Sequence, residues 1–226
     1  YSNFRGNNFT TTNIANADFT SANLSGVDLS AKNLTENILT RTDLRNANLA
    51  GANLSNNELL NTILTGADLT DANLSGANLS TTNIFGIVDG INILEKTKLK
   101  GANLTNADLT NIDFTGANLS EITLKGANLT GVKLERAKIN NANLEDVDLS
   151  FKNLSGIRFI DTNLNGAILS EAQLSNAILT GADLSDADLT GAKLIYAYLV
   201  NANLSGANLH MANLTGANLG GVIINE

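Results

Sequence analysis

The sequence predicts an all-β solenoid, a four-sided parallel β-helix of about eleven coils built from five-residue units. Three observations predict it. Every position whose number ends in 4 or 9, from Phe4 to Ile224, is Leu, Ile or Phe except Asp89, which is 44 of 45 positions. Around each such centre the neighbours repeat as well: Ala fills 24 of 45 positions two residues earlier, and Asn or Asp fills 29 of 45 positions one residue earlier. The third is a slower period of twenty, described below.

The unit follows from elementary geometry. In an extended chain, residues two apart point to the same side. Ala and the centre therefore face inward, and Asn or Asp faces outward. A continuing strand would turn the next centre outward, so a five-residue period requires a turn after every centre. Gly and Asn, common two residues after the centre, supply the positive φ of a type II turn. Helix is excluded, because five does not match 3.6 and Asn, Thr and Gly are weak helix formers. Proline is absent, as a chain whose N–H groups bond neighbouring coils requires.

The coil size comes from the slower period. The positions Gly6, Gly26, Asn46, Gly66, Gly86, Asn106, Gly126, Asp146, Gly166, Asp186 and Gly206 are all turn formers. The other three columns include Arg41, Phe151, Tyr196 and Met211. Twenty residues make four sides, and a rise of ~4.8 Å per coil gives a rod of roughly 50 Å.

With its A(N/D)Lxx unit, seen in Ala202-Asn203-Leu204-Ser205-Gly206, the sequence resembles the pentapeptide-repeat family over the whole of 1–226. The resemblance implies one right-handed quadrilateral β-helix with Leu or Phe stacked inside. Leu-rich centres are similar to those of many cyanobacterial members. The gyrase-binding quinolone-resistance members use more Phe.

The first break in the pattern is an irregular segment at 85–98. Asp89 stands at a centre, where an unpaired buried charge is costly. Val88, Asp89, Gly90 and Ile91 read as a type I′ hairpin tip with apolar flanks. Two readings compete: a distorted coil that keeps its two places, or an expelled loop that turns everything downstream by half a coil. The straight column from Gly6 to Gly206 favours the first. A projecting recognition hairpin competes with a tolerated bulge. Lys32 and Lys152 take inward positions in matching contexts, and the expectation is that each snorkels outward rather than forming a ligand pair. Repeat register already runs at Phe4 and still runs at Ile224, without a capping helix. Open coils invite end-to-end self-association or mark a fragment of a longer chain.

Assigning residues to faces by number modulo twenty sorts the charges. The chain has 22 Asp plus Glu against 14 Lys plus Arg, a net charge of −8. One face is expected to carry eight acids and no Lys or Arg, with Asp28, Asp68, Asp108, Asp148 and Asp188 as a candidate acidic column. Eight acids over ~50 Å is one per ~6 Å, several-fold sparser than the ~1.7 Å spacing of DNA charge. The opposite face is expected to carry Lys98, Lys100, Lys138 and Arg158. Beside them lie outward apolar residues, Ile160, Ile178, Tyr198 and Val200, with Ile195 and Tyr196 round the corner. Apolar and Tyr residues where the repeat normally carries Asn, Ser or Thr form a candidate protein-partner patch.

Composition excludes much chemistry. There is no Cys and one His, His210, so Cys-containing or His-rich metal sites and Cys nucleophiles are ruled out. The glycines are turn residues rather than a phosphate loop, and a tight Leu/Ala interior leaves no pocket. No enzyme activity, no cofactor and no metal are expected. Direct nucleic-acid binding is not expected of an acidic chain with ten Phe plus Tyr. No apolar run of about 18 residues spans a membrane. A broken Ser/Thr column, interrupted by Ala50, Gly90 and His210, argues against ice binding. Many Asn-x-Ser/Thr sites, such as Asn23, Asn53, Asn73 and Asn103, argue against a eukaryotic secretory route and for a bacterial origin, with the cytoplasm slightly favoured over an exported or lumenal compartment. The expected role is a structural and protein-interaction scaffold whose partner is unidentified. The alternative is a DNA-mimicking inhibitor or protector of DNA gyrase or topoisomerase acting through the acidic face.

Overall fold

In a computed structural model, each pentapeptide satisfies its backbone donors in the same way. The structure describes residues 2–80, 82, 85–88 and 91–225, with 85–88 and 91–96 as backbone alone. The repeat around Leu184 illustrates the pattern. The Leu184 and Asp186 N–H groups donate to Asn203 and Ser205 carbonyls of the following coil, at 2.8 and 2.9 Å. The Asp188 N–H donates back to Ala167 O of the preceding coil at 3.0 Å. The Ala187 N–H closes the turn onto Leu184 O at 3.1 Å. The fifth donor, the Ser185 N–H, is taken by Asp183 Oδ1 at 3.1 Å. All five backbone donors of the unit are thus satisfied, as buried or half-buried amides require.

The third turn residue takes the positive φ that the sequence predicts. Gly181 has φ +68° and Gly206 +68°. Asn and Asp adopt it too, and so do Arg41, Phe151, Tyr196 and Met211, at +56° to +60°. Inside the coils, the centres and the alanines form the apolar core; Leu24, Leu69, Leu164 and Leu184 are wholly buried. No helix occurs among the described residues.

The chain divides into two compact units. The first is Tyr1–Asp113 with Thr130–Val132, and the second is Phe114–Leu129 with Lys133–Glu226. Both are built from parallel bridges between residues twenty apart, such as Asp28 with Asn48 in the first and Asp148 with Ile168 in the second. Twenty residues are four pentapeptides, so each coil has four sides. At the start of the first unit Phe4, Phe9 and Phe19 meet edge to face or tilted, with ring centroids 5.7 to 6.3 Å apart.

The irregular segment corrects a sequence expectation. Bridges in the first unit change spacing from twenty to thirty across it: Asp68 pairs with Lys98, Asn73 with Asn103 and Asn78 with Asp108. Ten residues therefore leave the coil, and the segment is an expelled loop, not a distorted coil holding two places. Strand β1 (Phe85–Val88) pairs antiparallel with β2 (Ile91–Lys96), with Val88 opposite Ile91. The predicted tip residues Asp89 and Gly90 lie outside the described residues. The column from Gly6 to Gly206 misled because turn formers fill most corners of every coil. A straight column of them survives a half-coil shift and carries no register.

Candidate functional site

The outer surface is built from the residues flanking each centre, and their hydrogen bonds explain their identity. Asn or Asp before the centre accepts the N–H two residues on, as Asn203 Oδ1 does from Ser205 at 3.1 Å and Asp28 Oδ1 from Ser30 at 3.0 Å. A Ser or Thr there adds its hydroxyl, with Ser205 Oγ 2.7 Å from the same Asn203 oxygen. Side-chain ladders then tie successive coils: Asn163 Nδ2 donates to Asn143 Oδ1 at 3.2 Å, and Asn203 Nδ2 to Asp183 Oδ1 at 3.0 Å. The sequence shows which residues face outward, but the capping role behind the Asn/Asp preference appears only in the structure.

The half-coil shift breaks the acidic column as the sequence assembles it. In the first unit Asp28, Asn48 and Asp68 share a ladder whose next rung is Lys98. Lys98 Nζ sits 2.7 Å from Asp68 Oδ2. The face expected to lack Lys and Arg therefore carries a lysine on its acidic ladder. Asp108 stands in another ladder, after Glu58 and Asn78. In the second unit Asp148 and Asp188 share a ladder with Ile168 between them.

Four of the five column carboxylates are held below the usual carboxylate range. Asp28 is lowered by the Ser30 amide and then its hydroxyl. At Asp68 desolvation pushes upward, and the bonds from Lys98 and Thr70 outweigh it. The Ser150 hydroxyl and amide lower Asp148, and those of Thr190 lower Asp188.

The apolar patch, in contrast, comes together within the second unit. Asn118, Lys138, Arg158, Ile178, Tyr198 and Asn218 form one unbroken ladder. On the other side of the centres, Asp161 N–H bonds Thr180 O and Gly181 N–H bonds Val200 O, which sets Ile160, Thr180 and Val200 on adjacent coils. Tyr198 is 52% exposed and Tyr196 60%. Ile160, Ile178, Ile195 and Val200 are half-buried. Tyr196 takes its corner at φ +56°, and a methyl built at Gly216 would meet its ring 2.5 Å away. The glycine of the next coil thus makes room for the tyrosine.

The sequence reading left further exposed apolar residues of this unit out of the patch, among them Phe151, Ile168 and Met211. Phe151 is 76% exposed and Met211 79%, both at positive-φ corners, and Ile168 interrupts the Asp148 ladder. Their signal was the same departure from Asn, Asp and Gly that marks the patch.

Both inward lysines set their ammonium groups on backbone carbonyls, Lys32 at an exposed edge and Lys152 half-buried. Lys152 Nζ donates to Leu129 O at 2.8 Å, and Lys32 Nζ to Thr10 O and Thr12 O at 2.8 and 3.1 Å. Thr42 and Thr62 do the same with a shorter reach, to Phe19 O and Leu39 O. Burial pushes the Lys152 amine down from its ordinary value, and Asp148 opposes that shift. Among the described residues no cluster of His, Cys, Asp and Glu could hold a metal ion. No helix of the described residues is long and apolar enough to cross a membrane.

Comparison with known proteins agrees with this architecture. The family description "Pentapeptide repeats" matches in eight copies, together spanning 1–84 and 93–221. The interruption coincides with the expelled hairpin. HetL, a pentapeptide repeat protein involved in heterocyst differentiation regulation in the cyanobacterium Nostoc sp. strain PCC 7120, is 34% identical. That similarity covers 99% of this chain and 89% of HetL, with a TM-score of 0.40. QnrB1, a plasmid-mediated fluoroquinolone resistance protein, is 18% identical over 88% of this chain and 92% of its own, with a TM-score of 0.58. Rfr23 from the cyanobacterium Cyanothece 51142 is 26% identical over 57% of this chain and 88% of its own, with a TM-score of 0.27. No curated protein matches the chain. Repeat, ladder and family match agree: the chain belongs to the pentapeptide-repeat family, whose members fold as right-handed quadrilateral β-helices.

Proposed function

We propose that the chain is a non-enzymatic scaffold that binds a protein partner through the apolar patch of its second unit. One observation carries this reading. The ladder through Lys138, Arg158, Ile178 and Tyr198 replaces the capping Asn or Asp on four successive coils. A capping residue stabilises the coil, and giving it up four times running on one face calls for another benefit. Apolar surface flanked by cations suits a protein partner. The test is affinity capture from lysate with the wild type and the double variant Ile178→Asp/Tyr198→Asp. The variant should keep its circular dichroism and melting temperature while losing the captured partner. Retention of the same partner would sink the reading.

A second reading is a DNA-mimicking inhibitor or protector of DNA gyrase acting through acidic side chains. Its support is that Asp28, Asp68, Asp148 and Asp188 are held in the charged form. Weighing against it, Asp68 is paired with Lys98 and Asp108 stands in a different ladder from Asp28 and Asp68. Converting all five to Asn and assaying gyrase supercoiling tests it. Inhibition by the wild type that vanishes in the variant supports this reading, and absence of inhibition by the wild type removes it.

A further inference from the structure

We propose that the occupant of this patch is a short acidic and apolar segment of the partner, lying along the ladder axis from Lys138 to Tyr198. The proposal rests on the reading above and adds the chemistry of the ligand. Its basis is the capping rule. In an ordinary repeat the outward Asn or Asp accepts the N–H two residues on, so that donor can be reached from outside. Lys138, Arg158, Ile178 and Tyr198 carry no carboxylate or amide oxygen to do so. Among the bridges of the described residues, no other ladder sets two such residues on adjacent coils.

The donors they leave uncapped are those of Asn140, Ile160, Thr180 and Val200. One is recovered by a substitute: the Ile160 N–H donates to Asn140 Oδ1 of the preceding coil at 3.3 Å. Among the described residues, the Thr180 and Val200 N–H groups find no such acceptor. Lys138 and Arg158 make no ion pair among the described residues either. The carboxylates nearest in sequence form no ion pair with them. Glu135 accepts from Thr115 Oγ1 at 3.4 Å, and the Asp161 carboxylate lies across Gly181.

The surface therefore presents two unpaired cations at one end and, at the other, apolar side chains with the two open backbone donors of their own coils. Donors and cations call for acceptors and anions. Carboxylates of the segment would face Lys138 and Arg158, its carbonyls would face the Thr180 and Val200 donors, and its apolar side chains would rest on Ile178 and Tyr198. Three coil steps of ~4.8 Å match roughly four to five extended residues.

The test is selection of phage-displayed random dodecapeptides on the full chain. Selected clones should pair Asp or Glu with Leu, Ile, Phe or Tyr and avoid Lys and Arg. Their binding should fall about tenfold or more for Lys138→Glu/Arg158→Glu, with a smaller loss for Lys138→Gln/Arg158→Gln. Circular dichroism and melting of each variant would show that the coil is intact. Apolar clones that ignore charge reversal but are lost with Ile178→Asp/Tyr198→Asp would overturn the acidic chemistry and leave the surface standing. Clones insensitive to both pairs, or no enrichment at all, would overturn the proposal.

Discussion

At the scale of the residue, the outward Asn or Asp does more than face water. Its Oδ1 satisfies the one backbone donor that neither the turn nor the neighbouring coils can reach. Asn203 shows the two halves of that role, accepting from Ser205 and donating to Asp183. Asn203→Ala should cost about 1 kcal/mol, read as a fall in melting temperature. Asn203→Asp keeps the cap but sets two carboxylates on adjacent rungs. It should be less stable than wild type at pH 7, by a margin that shrinks as salt screens the pair. The wild type itself should lose stability on acidification. Asp148 and Asp188 titrate below their ordinary value of 3.8 in the folded chain, so on acidification the unfolded chain binds protons first. Their contribution is complete above that value and is lost as the pH falls through the folded one. Melting followed from pH 7 down to about 2 should show that loss in the wild type and a flatter profile in Asp148→Asn/Asp188→Asn.

At the scale of the element, the pentapeptide was legible in the sequence because one centre per five residues leaves no alternative to a turn at each corner. The hairpin was legible only in part. Its tip chemistry in Val88 and Ile91 marked it, and these residues do pair. Its expulsion was not legible, because ten residues are two whole repeats and the five-residue register resumes unchanged beyond it. Only the change in bridge spacing from twenty to thirty reveals the half-coil turn. Deleting residues 85–94 should therefore leave the coil intact, with melting within a few degrees of wild type, because shortening a closed loop changes little. Deleting residues 159–166 removes a number of residues that is not a multiple of five. It should destabilise the chain strongly, since every later Leu would leave the inward register. Thermal melting of both deletions compares them directly, and equal losses would refute the expelled loop.

At the scale of the whole molecule, fold and surface differ in how far the sequence determines them. The core needs only Leu and Ala at fixed spacing, and that pattern is visible in the raw sequence. A surface column depends on which coil lies above which, so one insertion scrambles every assignment across it. The acidic column failed for that reason, since its members lie on both sides of the hairpin. The residues of the apolar patch keep their expected neighbours because all of them lie downstream of it. The capture experiment with Ile178→Asp/Tyr198→Asp belongs at this scale, since it asks whether one face of the second unit carries the partner.

The most direct measurement is amide hydrogen exchange of the chain, alone and with its captured partner. Alone, the uncapped Thr180 and Val200 amides should exchange faster than the capped Ser185 and Ser205 amides. With the partner bound, protection should appear at 178–180 and 198–200. Protection confined to the Asp28 or Asp148 ladder, with none at these residues, would contradict the account.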